Sequence, residues 1–266
     1  MPLADPSAYL IDLDGTLYAG GAAIPGAVAA IERLRAGAIP YRLVTNTTSR
    51  SRAMIAQRLT EYGFRLGSGE LFTAATAGTE LARQRGHHAI APFLPGVTLE
   101  DLTGFHLAGG TSERQPPSGW RADAVMVGDL SERWTYDLMQ EAFEYLMAGA
   151  ELIALSRDRY WLRDGRLVLD AGPFVAGLEY AVGRPAVIAG KPSRHFFDAA
   201  VASLGGVEAG AVAMIGDDLW SDVQGAQRAG LRGWLVQTGK FRPDVLAGGE
   251  VVPDRVLASV ALLGEG

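Results

Sequence analysis

The chain has 266 residues, 48% of them hydrophobic, and a formal net charge of -6, enough apolar material for one large domain or two modest ones. That charge gives no basic footprint for nucleic acid or an anionic membrane, and no stretch approaches the roughly 18 apolar residues of a membrane span. With no cysteine and four histidines, disulfides, thiolate catalysis and Cys-ligated zinc are excluded, which leaves hard oxygen ligands as the chemistry of any metal.

The first residues, MPLADPSAYL, lack the basic-then-apolar layout of a signal peptide, so the expectation is a cytoplasmic protein. Next, AYLIDL predicts a strand, PGAVAAIERLRAG a helix, PYRLVTN a strand and SRAMIAQRLTEYG a helix, the alternation of βαβ units in a parallel sheet. Gly37 and Gly63 stand where helix C-caps belong. From about residue 78 the texture changes. A Pro/Gly-broken segment from His88 to Gly119 leads to the strand DAVMVGDL, the helix TYDLMQEAFEYLMAG, the strand ELIALSR, and a turn at Asp164-Gly165 between RYWLR and RLVLD. The earlier grammar then returns as the helix RHFFDAAVASLG, the strand AVAMIGD, the helix DVQGAQRAG and the strand RGWLVQTG. We therefore expect an α/β protein whose parallel-sheet core is formed by residues 1–77 and 188–266, with an inserted α+β module over 78–187.

Ligands of parallel α/β sheets bind beyond the carboxyl ends of strands. Here those ends read Asp12 and Asp14, Thr45-Asn46, and Asp217-Asp218, and the turn Gly190-Lys191-Pro192 follows the inserted module. On an extended chain Asp12 and Asp14 project to one side, which like charges tolerate when a cation lies between them or one carboxyl keeps a proton. Asp217 and Asp222 sharpen the conflict. A hard divalent cation such as magnesium, held by carboxylate and carbonyl oxygens, would relieve it and leave room for a phosphate oxygen. Lys191 supplies a second positive charge, and the Thr45 hydroxyl with nearby backbone N–H groups supplies donors suited to a phosphoryl group. Each stretch alone is an ordinary strand end, turn or cap. Together, in order and each at a strand end or turn, they point to one site.

The pattern D-x-D-G-T-L at Asp12 to Leu17, V-T-N at Val44 to Asn46, G-K-P at Gly190 to Pro192 and G-D-D-x-x-x-D at Gly216 to Asp222 resembles the four ordered motifs of the haloacid dehalogenase (HAD) superfamily. The stretches VTNTTSRSRAMIAQRL, LDAGPFVAGLEYAVG and MIGDDLWSDVQGAQRAGLRGWLVQTGKFRP further resemble its NagD-like subfamily IIA, whose cap lies between the second and third motifs. Within that subfamily the chain is similar to the phospholysine phosphohistidine inorganic pyrophosphate phosphatases. The resemblance implies a Rossmann-like HAD core with a C2-type cap, and a magnesium-dependent phosphatase that hydrolyses a small phosphorylated substrate through an aspartyl-phosphate. It makes Asp12 the nucleophile and Asp14 the general acid, then base. It places magnesium on Asp12, the Asp14 carbonyl and Asp217, with Asp222 supporting them, and Thr45, Asn46 and Lys191 on the phosphoryl oxygens. Asp218 is either a further ligand or a helix-start carboxylate, the second being the preferred reading. The same resemblance leaves open hydrolysis of inorganic pyrophosphate or phosphoamides, and a catalytically silent binding protein. Members of that group can carry serine where this chain has Asp14, a departure that favours ester hydrolysis.

Other residues read as structural. His87 and His88 sit in a polar stretch and His195 in a first helical turn, neither with the spacing of a ligand pair. Trp134, Tyr136 and the run Arg157 to Trp161 are either core aromatics or part of a cap face that selects the leaving group. The apolar face of YDLMQEAFEYLM could serve a homodimer or the module's own core.

Overall fold

The apolar run Ala8–Asp12 is a strand buried along its whole length, because it lies inside a sheet rather than at its edge. That sheet has six strands in the order Arg255–Leu257, Arg232–Val236, Val212–Gly216, Ala8–Asp12, Tyr41–Thr45 and Leu71–Thr73. Ile11 sits opposite Ile215 on one side and Leu43 on the other, both pairings parallel. Parallel strands are covered on both faces, which explains why they read as continuous apolar runs instead of alternating ones. The helices Ala27–Ala36 and Arg52–Glu61 contribute Ile31, Leu34, Ile55 and Leu59 to a core shared with Ile11, Leu43 and Ile215. The computed structural model describes residues 5–163 and 165–264, with the Leu162 side chain left aside. Asp164, the first residue of the expected Asp-Gly turn, lies outside the described residues.

The two helix ends differ in detail. Gly63 takes the left-handed conformation expected of a C-terminal glycine, at φ 90. Gly37 does not: the left-handed residue is Ala38, at φ 53, and the Ile39 N–H reaches back to the Leu34 carbonyl. Gly37 is thus the cap itself, and the reversal falls one residue later.

The chain forms two units. One comprises the described residues of Met1–Thr45, Ala53–Phe72 and Lys191–Gly266, the other Asn46–Arg52 and Thr73–Gly190. The second has its own sheet, all parallel, in the order Val187–Ile188, Glu151–Ala154, Ala124–Val127, Ala89–Phe93 and His106–Leu107. A strand therefore runs through the segment that looked broken by proline and glycine. Pro92 is tolerated there because the neighbouring His106–Leu107 pairs only with Ala89 and Ile90, so no second ladder is interrupted at Pro92. Tyr160–Arg163 and Arg166–Leu169 form a separate antiparallel hairpin. The helix Tyr136–Met147 turns Ala142 and Leu146 into this unit's core, with Leu138, Met139 and Phe143 packed beside them, so its apolar face serves the unit itself. Trp134 stacks between Phe93, at 5.9 Å, and Phe174, at 5.0 Å. Tyr136 and Tyr160 stay 79% and 53% exposed. His87 pairs with Glu151 at 2.9 Å. Among the described residues no helix is long and apolar enough to cross a membrane.

In the first unit, the strand Arg232–Val236 lies against the π-helical turn Leu219–Gln224 so closely that a Cβ on Gly233 would sit 2.7 Å from the Val223 carbonyl oxygen. Backbone cannot yield as a flexible side chain would. Gly233→Ala is therefore expected to lower the unfolding free energy by about 1–3 kcal/mol, read from urea denaturation. An unchanged midpoint would show that this contact does not hold the turn.

Candidate active site

Three neighbouring parallel strands of the first unit end side by side. Asp12 is the last residue of its strand, Thr45 the last of the next, and Asp217 follows the strand Val212–Gly216 on the other side. Lys191 adds a buried ammonium, whose Nζ donates to Asp12 Oδ1 at 2.5 Å and to Asp222 Oδ1 at 2.7 Å. Asp222 comes from the turn Leu219–Gln224, and its carboxylate lies where a side chain on Gly216 would have to be, 2.0 Å from an ideal Cβ. That close approach explains the glycine that opens Gly-Asp-Asp-x-x-x-Asp.

Asp12, Asp217 and Asp222 are all buried, and one carboxylate oxygen from each lies within 4.8 Å of the others. Burial, reinforced by repulsion from Asp12 and Asp222, pushes Asp217 up to about 8. Burial likewise pushes Asp222 up to about 7 against the pull of Lys191, with Asp12 and Asp218 adding repulsion. Asp12 is raised for the same leading reason. Burial disfavours the Lys191 ammonium, yet the carboxylates of Asp12 and Asp222 outweigh it and hold Lys191 well above the ordinary lysine range. One ammonium does not balance three buried carboxylates. Hard oxygen donors in charge excess are the ligand set that a divalent cation such as magnesium or calcium takes.

Asp14 stands apart from this group. The chain leaves the strand after Asp12 and turns tightly, with the Leu17 N–H on the Leu13 carbonyl and the Gly15 N–H on the Tyr18 carbonyl, both at 2.8 Å. The extended geometry that would put Asp12 and Asp14 in one environment therefore ends too early. Asp12 is 7% exposed, whereas Asp14 is exposed and accepts the Tyr18 hydroxyl at 2.9 Å. Thr45 is buried, and Asn46, next in the chain, is half-buried and begins the second unit. Asp218 caps the following turn, accepting the N–H groups of Trp220 and Ser221 at 3.0 Å each. Burial alone would raise Asp218, but the Lys240 ammonium and those two N–H groups hold it below the usual carboxylate range.

Two contributors are not evident from the sequence. Tyr18 carries no motif of its own, although its i,i+4 spacing from Asp14 was available. The other is the loop after the strand Arg232–Val236, at the same rim. There the Lys240 backbone N–H donates to Asp217 Oδ2 at 2.7 Å, and its ammonium to Asp218 Oδ2 at 3.0 Å. A lone lysine after a turn gives no pattern, and only the strand-end rule could have singled it out.

A family model described as haloacid dehalogenase-like hydrolase matches residues 9–102, and a second, described as HAD-hydrolase-like, matches 188–263. The chain is similar to haloacid dehalogenase-like hydrolase domain-containing protein 2 of Bos taurus, 40% identical over 237 residues, which span 88% of this chain and 85% of that protein. It is 38% identical over 247 residues to phospholysine phosphohistidine inorganic pyrophosphate phosphatase of Bos taurus, spanning 91% of this chain and 86% of that one. Among solved structures it resembles the glycerol phosphate phosphatase of Mycobacterium tuberculosis in complex with calcium, with a TM-score of 0.84 and 27% identity over 97% of this chain and 74% of that one.

The raised carboxyls make stability depend on pH in a definite sense. Unfolded aspartates lose their protons near pH 4, while Asp217 and Asp222 in the fold keep theirs to about 8 and about 7. Over that interval the folded state binds more protons than the unfolded one, so stability falls as pH rises. Thermal unfolding of chelator-treated protein should show a midpoint that declines from about pH 5 to pH 8. The contribution is fully present below the unfolded value and lost by about pH 8. Divalent cation should raise the midpoint more at pH 8 than at pH 6, and Asp217→Asn should flatten the decline. A midpoint that rises over this range in the chelated protein would contradict the charge assignment.

Proposed function

The chain belongs to the haloacid dehalogenase-like hydrolase family, and from that premise we propose that it is a magnesium-dependent phosphatase acting on a small phosphorylated substrate through an aspartyl-phosphate on Asp12. The observation that carries this reading is the buried Asp12 carboxylate, held by Lys191 at 2.5 Å beside Asp217 and Asp222. The relatives that bear phosphatase names support the same class.

In this reading Asp12 attacks phosphorus with a carboxylate oxygen as the bond to the leaving oxygen breaks, dividing one difficult displacement into two. Lys191 holds the Asp12 carboxyl in place and neutralises charge on the phosphoryl oxygens. Asp14, oriented by Tyr18 and open to solvent, gives its proton to the leaving oxygen and then takes one from the water that hydrolyses the acyl phosphate. The Thr45 hydroxyl, with Asn46 after it, donates hydrogen bonds to the phosphoryl group. Magnesium, held by Asp12, the Asp14 main-chain carbonyl and Asp217 with Asp222 supporting them, would supply the charge that lets an anionic carboxylate approach an anionic phosphoryl group. Residues 1–77 and 188–266 form the catalytic core of this proposal, residues 78–187 its cap and the seat of substrate selection, and its setting is the cytoplasm.

A second reading, hydrolysis of inorganic pyrophosphate or a phosphoamide, is favoured by the 38% identity to the phospholysine phosphohistidine inorganic pyrophosphate phosphatase. Phosphate release from a panel of phosphomonoesters and from pyrophosphate, with magnesium and with chelator, separates the two. Turnover of esters that disappears with chelator is the expected result. Pyrophosphate as the sole substrate would favour the second reading, and no hydrolysis despite cation binding would favour a binding protein. Asp12→Asn should abolish turnover with the fold intact, since an amide of the same size is a poor nucleophile. Activity within about tenfold of wild type would remove Asp12 from its role. Asp14→Asn should cost about 10²–10⁴ in turnover of alkyl esters, whereas with p-nitrophenyl phosphate, whose leaving group needs no proton, a burst of p-nitrophenol should precede slow turnover limited by hydrolysis of the acyl phosphate.

A further inference from the structure

We infer that the loop Thr238 to Lys240 is the positioning element of Asp217: it occupies Oδ2 of that carboxylate, so that Asp217 offers a divalent cation Oδ1 alone. The inference builds on the proposed cation-binding role of Asp217. Four observations meet at one oxygen. The Lys240 backbone N–H donates to Oδ2 at 2.7 Å. Gly239, at φ 60, lies so near that a Cβ would stand 1.9 Å from Oδ2 and 2.5 Å from the Gly15 Cα. Gly15, at φ 81, approaches the same oxygen from the first motif, and its own Cβ would also stand 1.9 Å away. The Thr238 hydroxyl ties the two segments together by donating to the Gly15 carbonyl at 2.5 Å.

Oδ2 is thus enclosed by two glycine backbones and fixed by an N–H. A carboxylate held this way cannot swing about its Cβ–Cγ bond to grip a cation with both oxygens, and its free oxygen is aimed before the cation arrives. Hydrogen bonds behind a ligand commonly set metal affinity by about 10–100-fold. The Lys240 ammonium has a different part, since it pairs with Asp218 at 3.0 Å and works electrostatically against a second cation.

The two parts predict opposite signs. With the full chain and Mn²⁺ as the probe, followed by the electron paramagnetic resonance of the free ion, Gly239→Ala should weaken binding about tenfold or more. Thr238→Val, which removes one hydroxyl at constant shape, should weaken it severalfold. Lys240→Met keeps the main-chain N–H and deletes a positive charge, so Mn²⁺ should bind as tightly as in wild type or more tightly. Wild-type affinity in both Gly239→Ala and Thr238→Val would overturn the inference, as would a loss in Lys240→Met larger than in either. Should Gly239→Ala fail to fold by circular dichroism, Thr238→Val decides alone. Asp217→Asn is the separate control: wild-type affinity there would defeat the cation-binding reading itself, whereas lost affinity there with unchanged loop variants would defeat only the positioning role.

Discussion

Three carboxylates buried around one ammonium are the constraint on which the first unit is organised. Buried ion clusters commonly cost stability relative to apolar residues of similar volume that replace the whole set, here Asp12, Asp217, Asp222 and Lys191 together. Their charges interact strongly because water is largely excluded, and the resulting penalty shows in the raised carboxyls of Asp217 and Asp222. A fold that keeps this arrangement keeps it for chemistry. The parallel sheet makes the arrangement reachable, since adjacent strands deliver their last residues to one rim and the connections enter and leave there.

The glycines around the cluster follow from the same constraint. Gly15, Gly216 and Gly239 lie in different segments and serve different local shapes, yet each would put a Cβ about 2 Å from a carboxylate oxygen of Asp217 or Asp222. At Gly216 the backbone is not in the left-handed region, so conformational freedom is not the reason for glycine there. Space is. The carboxylates are approached by bare backbone, which lets N–H groups reach the oxygens, that of Lys240 on Asp217 Oδ2 and that of Asp218 on Asp222 Oδ2, and desolvated anions need such donors around them.

How much of this was legible in the sequence depends on whether a residue's role shows in its neighbours along the chain. Asp12, Asp217 and Thr45 were readable because each ends an apolar run, and Lys191 because its turn recurs in order with them. Asp222 was readable through its spacing from Gly216. Lys240 was not, because its role resides in a main-chain N–H, which every residue but proline possesses. The strand Ala89–Phe93 was hidden by Pro92, whose usual meaning in a strand is an interruption; its meaning here depends on how short the neighbouring strand is. Gly37 was readable as the helix cap, and only the left-handed residue after it, Ala38, was not. In each failure the deciding fact is a partner distant in sequence or the length of another element.

In the proposed mechanism Asp12 and Asp14 divide two tasks between residues of one short stretch. A nucleophile must be fixed and kept from water, and the buried Asp12 held by Lys191 meets those demands, with the ammonium favouring the ionised form against the effect of burial. A group that passes a proton to a leaving oxygen and accepts one from water must reach both, and must change its charge without upsetting the fold. An exposed carboxylate held by one phenol meets these. Two residues of separation on a continuing strand would have given both the same face and the same burial. Ending the strand at Asp12 and closing the Leu13 to Tyr18 turn at once is what separates the environments, so Gly15, which permits that turn at φ 81, divides the proposed labour between the two carboxylates as much as either side chain does.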